Sequence, residues 1–329
     1  MSVTSNSKIR VAVLRGGPGD KYDSSMKTGE HVLSILRSKP DMYEPVDIFI
    51  SKEGVWHLMG VKKEPHEALK YSDVVFNALH GQFAEQGEIQ RLLSALHVPY
   101  TSSPALSSVM SLNKDMAKKA YLDAGLLTPR FETITPDDEV EKLVEIFRNY
   151  LHPVVIKPSN ENYRKGISLV YTFDDLVRAV DKALENSPRV IVEEFIRGRE
   201  ARCGVIENFR GDMLYALIPV EVVTPKKNQK LPDYELKFKT EPEYLHGAFT
   251  QKENKILEHT AKKAHEALNL RHYSYSDLIM TPQGKIYVLE SNILPDFSND
   301  SLLNKSLKEV GSSPDAFVDH IIRLALETK

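Results

Sequence analysis

Tyr275-Ser-Asp-Leu-Ile-Met-Thr-Pro-Gln-Gly-Lys-Ile-Tyr-Val-Leu-Glu-Ser-Asn292 is the stretch on which the reading of this chain turns. Two apolar, β-prone runs, Tyr275–Met280 and Lys285–Leu289, flank Thr281-Pro-Gln-Gly284, which predicts a hairpin turn. Closing the hairpin brings Asp277 near Glu290, and the alternation of side chains puts Glu290 and Asn292 on one face. Three oxygen donors without a Cys or His suit a hard cation such as Mg²⁺, which works with nucleotide phosphates. Three polar residues at a solvated strand end would give the same pattern. The rest of the chain has to decide.

Working outward, composition excludes several classes. At 329 residues the chain predicts two or three domains, and 41% apolar with 27% charged residues is ordinary globular usage. A net charge of −3 argues against nucleic acid or an anionic membrane as the main partner. The one cysteine, Cys203, rules out an internal disulfide framework and a cysteine-based zinc cage. Met1–Lys8 is polar, with no signal-peptide core, and no run approaches the roughly 18–20 apolar residues that cross a bilayer. The expected location is the cytoplasm.

The N-terminal third alternates strand, loop and helix. Ile9–Leu14, Val46–Ile50 and Val74–Phe76 read as strands, and Ser25–Leu36 and Ile89–Leu96 as helices, which predicts a parallel, doubly wound unit to about residue 110. Asn113 is the expected N-cap of a helix from Lys114 to Ala124, closed by Gly125. Between Thr133 and Glu200 come helices and strands, with Pro153–Lys157 and Arg189–Glu193 as strands that end in charge. Beyond Ala201, hairpins are expected at Asn208–Asp212 and Thr281–Gly284. A Lys-rich loop (Thr224–Thr240) and helices over Glu253–Leu268 and Pro314–Leu326 complete the chain.

Each candidate group carries a plain alternative. Gly16-Gly-Pro-Gly19 lies between strand and helix, where backbone amides hold anions, but it lacks the full dinucleotide fingerprint and serves equally as a tight turn. His80, with Gly81, Glu85 and Gly87, follows a strand at the edge where α/β sheets bind ligands; a histidine steadying its loop is the alternative. Lys157 ends a buried strand and needs a partner, either a nucleotide phosphate or a nearby carboxylate. Lys114 alone is an ordinary solvated charge. Arg164-Lys-Gly166 forms a basic loop suited to closing over phosphates, or simply an exposed one. Glu193 and Glu200 could bind an adenine amino group and a ribose, or pair with Arg197 and Arg199, as such clusters more often do.

Taken in order, these segments resemble the D-alanine–D-alanine ligase family of the ATP-grasp superfamily, from Val11 to about Leu326. The likeness is carried by Ala78-Leu-His-Gly81 with Glu85 and Gly87, Val98-Pro-Tyr-Thr-Ser102, Asn113-Lys114, Val155-Ile-Lys-Pro158, Val192-Glu-Glu194 with Gly198-Arg-Glu200, Asp233-Tyr-Glu-Leu-Lys237, and Leu289-Glu-Ser-Asn292 with Pro295. The resemblance implies an α/β fold of three domains: a doubly wound N-terminal unit (1–112), a central ATP-grasp subdomain (113–200) and a C-terminal one with the metal site (201–329). ATP would lie between the last two. Lys114, Lys157 and Lys237 match phosphate-binding lysines, Glu193 the adenine acceptor and Glu200 the ribose partner. Phe195 and Ile196 would flank the base, their backbone groups reading its edge, with Glu194 counted among the cofactor-binding residues. Asp277, Glu290 and Asn292 match ligands of Mg²⁺, one ion or two, with Mn²⁺ as a substitute. His80 matches the histidine near the acceptor amino acid, and Ser301 a residue that contacts the product-side carboxylate. The implied reaction activates one amino acid as an acyl phosphate and attacks it with the amine of a second, joining two D-alanines for peptidoglycan synthesis. A homodimer is the further partner the resemblance suggests.

The chain departs from the family on the amino-acid side. Asp23 stands in place of a glutamate that grips the substrate ammonium, Tyr163 in place of a substrate-binding serine, and Phe238 in place of a tyrosine. Tyr275 occupies the position of an arginine that steadies the oxyanion, and Asp296 that of the glycine whose amide helps it. Arg164 or Lys165 could supply the missing charge. Three readings follow: a divergent D-alanine ligase, the same reaction on another amino-acid or hydroxy-acid pair, and an ATP-binding protein without catalysis. His80, Ser301 and the complete oxygen triplet favour the first.

Overall fold

The computed structural model describes residues 8–160, 166–185, 187–223 and 242–327. Its strands assemble into three sheets. The first contains β1 (Ile9–Gly16), β2 (Tyr43–Ile50), β3 (Trp56–Leu58), β4 (Val61–Lys62) and β5 (Val74–Asn77) in the order β4-β3-β2-β1-β5. Val11–Leu14 are fully buried, as a continuous apolar run in a covered parallel strand should be. Helix α1 (Tyr22–Arg37) supplies the crossover, burying Val32, Leu33, Ile35 and Leu36 along one stripe. The parallel core β2-β1-β5 matches the expected doubly wound unit, with an antiparallel edge added by β3 and β4. That edge follows from the short Ser51–Gly54 turn, closed by Gly54 N donating to Ser51 O, which leaves no room for a crossover helix.

Helices α2 (Pro65–Leu69), α3 (Gln82–Glu85), α4 (Glu88–Ala95), α5 (Ala105–Leu112) and α6 (Lys114–Asp123) follow. Asn113 stands at the junction of α5 and α6 but does not cap α6 with its side chain; its Nδ2 donates back to Val109 O at 2.8 Å. That back-bond satisfies a carbonyl at the end of α5 instead. Gly125 closes α6 with φ of +73°, a conformation glycine adopts without strain.

The central sheet runs β6-β9-β7-β8, built from β6 (Phe131–Ile134), β7 (Val154–Pro158), β8 (Ser168–Val170) and β9 (Val190–Glu194). Helices α7 (Val140–Asn149) and α8 (Phe173–Leu184) cover it, and their apolar faces close a separate core with Val154, Ile156, Val190 and Val192. The third sheet holds β10 (Arg199–Phe209), β11 (Asp212–Ala216), β12 (Val220–Val223), β13 (Glu243–Leu245), β14 (Tyr273–Met280) and β15 (Ile286–Asn292). Helix α9 (Gln251–Ala267) packs on it, opened by a capping box between Thr250 and Glu253. Helices α10 (Leu302–Glu309) and α11 (Pro314–Glu327) return to the first sheet.

Both expected hairpins form. β10 and β11 turn at Asn208–Gly211, and β14 and β15 at Thr281–Gly284, where Gly284 N donates to Thr281 O. Two extended hydrophobic cores join the first and third sheets. Ala117 and Tyr121 of α6 share one of them with Leu257 of α9 and Val288 of β15, so α6 is anchored on the third sheet.

Candidate active site

Register places the opening triplet. Asp277 on β14 pairs across from Glu290 on β15, and Tyr275 from Asn292; a bulge then shifts the ladder between Asp277 and Leu278. On the other side of β14, Arg202 of β10 pairs across from Asp277 and Gly204 from Tyr275. Residues directly opposite in an antiparallel pair project from the same face, so Arg202, Asp277 and Glu290 form a row across three strands. Asn292 lies two residues beyond Glu290 on that face, its Oδ1 accepting from Leu294 N at 2.9 Å.

These side chains are already paired. Arg202 grips both oxygens of Asp277, Nε to Oδ1 at 2.5 Å and Nη2 to Oδ2 at 2.7 Å. Lys114 Nζ, from the first turn of α6, lies 3.1 Å from Glu290 Oε2. Burial alone would raise the Glu290 carboxyl, but Lys114, Lys157 and Arg202 together hold it below the usual range. The facing sheet adds a second cluster. Glu193, on β9 and 2% exposed, has Lys157 Nζ of β7 at 3.1 Å from Oε1 and fully buried Lys118 Nζ at 3.5 Å from Oε2. Lys118 also donates to Thr128 Oγ1 (2.9 Å) and Pro129 O (3.3 Å). Burial lowers the Lys118 ammonium to about 8, with Glu193 opposing the shift. Desolvation would raise Glu193, yet Lys118 and Lys157 bring it below the ordinary value.

The plain alternative for Lys157, a nearby carboxylate, is therefore realised by another residue of the same site. For Glu193 the expected arginine partners are replaced by Lys157 and Lys118, while Arg199 turns to Glu221 (2.8 Å) and Glu253 (3.3 Å). Lys157 Nζ donates to Glu193 Oε2 at 3.2 Å, so Oε1 has that ammonium beside it but no well-aligned hydrogen bond among the described residues, and it keeps acceptor capacity that suits an amino group of a base. Phe195 and Ile196, half-buried, lie in the connection between β9 and β10, and Glu200 is half-buried on β10. Glu194 is spent on structure, its Oε1 accepting from Arg130 N at 2.8 Å. Among the described residues no three or more acidic, histidine or cysteine side chains gather as a ready metal site; Asp277, Glu290 and Asn292 are oxygen donors of the kind a hard divalent cation takes.

On the amino-acid side the contacts are hydrogen bonds. His80 is 5% exposed, with Nε2 at 2.8 Å from Thr28 Oγ1 and Nδ1 at 3.1 Å from Leu294 O. Burial lowers its pKa, with Asp296 pulling the other way. Thr28 Oγ1 lies 3.1 Å from Asp296 Oδ1. His80 thus ties the loop after β5 to α1 and to the segment after β15, which is the steadying role as well as a place at the sheet edge. Asp23 is exposed in the first turn of α1. Ser301 caps α10, accepting from Asn304 N. Gly16 and Gly17 make a tight turn: a Cβ on Gly16 would overlap the Ile50 carbonyl.

Tyr275, expected in the site from its place in the sequence, packs into a core. It is 5% exposed in a core with Phe297, Leu303 and Phe317, its hydroxyl donating to Ser306 Oγ at 3.0 Å, and burial pushes its pKa well up. A neutral phenol in an apolar pocket cannot replace an arginine. Tyr163, Arg164, Lys165, Lys237 and Phe238 lie outside the described residues. Sequence reasoning missed Arg202, Lys118 and Thr28. Arg202 left one trace, a charge on the polar side of an alternating strand between buried Ala201 and Cys203.

Three α/β sheets, with a charged face shared by the second and third, define an ATP-grasp protein. Comparison with known proteins narrows this. Residues 121–323 match the family model for the C-terminus of D-Ala–D-Ala ligase. The D-alanine–D-alanine ligase of Aquifex aeolicus is 32% identical over 95% of this chain and 100% of its own. Among solved structures, the VanG D-Ala:D-Ser ligase of Enterococcus faecalis superposes with a TM-score of 0.84 at 24% identity, covering 97% of this chain and 100% of that one. The Bacillus anthracis D-alanine–D-alanine ligase complexed with ATP gives 0.78 at 25% identity, covering 97% and 98%. The chain belongs to the D-alanine–D-alanine ligase family. No helix among the described residues is long and apolar enough to cross a membrane.

Proposed function

We propose that this chain is an ATP-dependent carboxylate–amine ligase that joins two D-alanines through an acyl phosphate, as a step in peptidoglycan precursor synthesis. One observation carries the reading: lysines from α6 and β7 converge with Glu193 and Glu290 from two different sheets, within ion-pair distance. Polyphosphate can take over Lys114 and Lys157 from the carboxylates they now neutralise, so binding exchanges one counter-charge for another. Glu193 then accepts from the base. Mg²⁺, held by Glu290 and Asn292, would supply charge neutralisation at the transferring phosphoryl group. His80, fixed at both nitrogens, orients the acceptor side, and closure of the site limits hydrolysis of the acyl phosphate.

A second reading, the same reaction with a different acceptor, is favoured by Asp296, a carboxylate beside Thr28 and His80. The test is phosphate release from purified protein with ATP, Mg²⁺ and a panel of D- and L-amino acids and hydroxy acids. Release with D-alanine alone is the expected result, and release only with another pair selects the second reading. Thermal stabilisation by ATP without turnover on any pair overturns both. Glu290→Gln should abolish the Mg²⁺-dependent turnover.

A further inference from the structure

The pairing of Arg202 with Asp277 alters what the metal face can hold. Both guanidinium nitrogens that face the carboxylate are engaged, and the remaining one, Nη1, donates to Tyr244 Oη at 2.9 Å. The pair is partly exposed, with 31% and 25% of the two side chains open, so the fork geometry rather than burial holds it. A planar fork on a carboxylate is a geometry no lysine reproduces, and two charge-assisted bonds must break together to part it. Lys114 on Glu290 is different: a single ammonium at 3.1 Å, on a flexible stem, that phosphate can draw off. Of the two carboxylates in the row, Glu290 is releasable and Asp277 is held. A divalent ion seated on Asp277 would also face the guanidinium at the distance of one carboxylate, whereas Glu290, though still within the field of Arg202, lies one strand further away.

We propose that Arg202 is a resident cation of the phosphoryl-transfer site: it keeps Asp277 as its own counter-ion and leaves Glu290 and Asn292 to hold a single divalent ion. Arg202 also restores charge to a face that lacks it at Tyr275. The row Arg202–Asp277 is adjacent to the row Gly204–Tyr275 on the same side of the sheet. The inference rests on the reading of this face as the nucleotide and metal site.

The experiment counts ions. Protein is saturated with Mn²⁺ and a β,γ-imido analogue of ATP, freed of excess metal, and examined by elemental analysis and electron paramagnetic resonance. The expected result is one Mn²⁺ per chain with an uncoupled six-line spectrum. Arg202→Met, which keeps the stem and removes the charge, should free Asp277 and admit a second ion, seen as an exchange-coupled pair at the roughly 3.5–4 Å spacing of two-metal sites. The paired variant Arg202→Gln/Asp277→Asn removes both charges together, which protects folding, and should retain one Mn²⁺ with affinity within a few-fold of the parent. Two coupled ions in the parent protein overturn the proposal. So does a loss of Mn²⁺ affinity beyond about tenfold in the paired variant, the size expected when a ligand's support is removed. Binding of the analogue without metal, read as a thermal shift, separately reports the nucleotide site, so failure there is distinguishable from a wrong ion count.

Discussion

The nucleotide face and the amino-acid face of this site are built on opposite electrostatic plans. On the first, every described carboxylate of the cluster has a cation from another element: Glu193 with Lys157 and Lys118, Glu290 with Lys114, Asp277 with Arg202. On the second, among the described residues, His80 and Thr28 bond each other, His80 also meets Leu294 O and Ser25 donates to Ala78 O, with Asp296 in contact with Thr28 and Glu85 accepting from Gly81. The contrast follows from the ligands each must take. A polyphosphate arrives with charge and can be received only where cations wait, held meanwhile by removable counter-ions. A zwitterionic amino acid needs direction more than charge. With its pKa lowered by burial, His80 stays neutral; Nδ1 donates to Leu294 O, so Nε2 accepts the one Thr28 hydrogen. Asp296 Oδ1 is then left to Ser298 N, at 2.8 Å.

The comparison breaks first at Lys118, the deepest of the charges. Lys118→Met leaves Glu193 with one cation fewer in a fully desolvated setting and should cost about 3–5 kcal/mol of stability in urea denaturation. A loss below about 1 kcal/mol would show that these pairs do not hold the nucleotide face together. The pH dependence carries a sign. Lys118 has a folded pKa near 8, below its ordinary 10.5, so between those values the unfolded chain binds more protons. The parent should therefore gain stability from this group as the pH rises from about 8 to 10.5, and the Met variant should lack that increment.

Lys114→Met tests the releasable side of the same face. It should lower turnover by roughly 10²–10³, the usual cost of one lost charge-stabilising donor. Stability should change less than in Lys118→Met, because Lys114 meets its carboxylate at a site 29% exposed on the Glu290 side. Equal losses of stability in the two variants would erase the distinction between a fixed and a removable counter-ion. On the amino-acid face, Thr28→Val removes the hydrogen bond to His80 while keeping the volume. We expect a loss of about 1–2 kcal/mol, expressed as a raised KM for the acceptor amino acid with the KM for ATP unchanged. A change confined to ATP would place Thr28 in the wrong half.

How much of this was legible in the sequence depended on the range of the physics involved. The Asp277–Glu290 pairing needed only a turn signal and a period of two, and both are local. Lys157 and Glu193 were readable as strand-end charges, but not as each other's partner, since that requires knowing that β7 and β9 are neighbours. Arg202 left only the trace of a charge on an alternating strand, because its partner is 75 residues away and only the antiparallel order β10-β14 brings them opposite. Lys118 was silent for another reason: on a polar helix nothing local distinguishes a lysine aimed at solvent from one aimed into a core. Asn113 shows a local signal answered differently, a capping residue whose amide bonded backwards to Val109.

The smallest expected effect is also the sharpest on the division between the two faces. Tyr275 shares a sheet face with Asp277, which by strand period alone would make it part of the chemistry. Its hydroxyl instead reaches Ser306 on α10, and its ring is enclosed by the core that joins the first and third sheets. Tyr275→Phe removes one buried hydrogen bond between neutral groups and leaves the ring. The expected cost is about 1 kcal/mol in denaturant unfolding, with turnover on every substrate altered less than about twofold. Were the hydroxyl to serve the reacting carbonyl, kcat would fall by orders of magnitude while stability barely moved, since a group that works on the transition state need not hold the fold. The ratio of the two effects, more than either alone, therefore fixes where the packed core stops and the site begins.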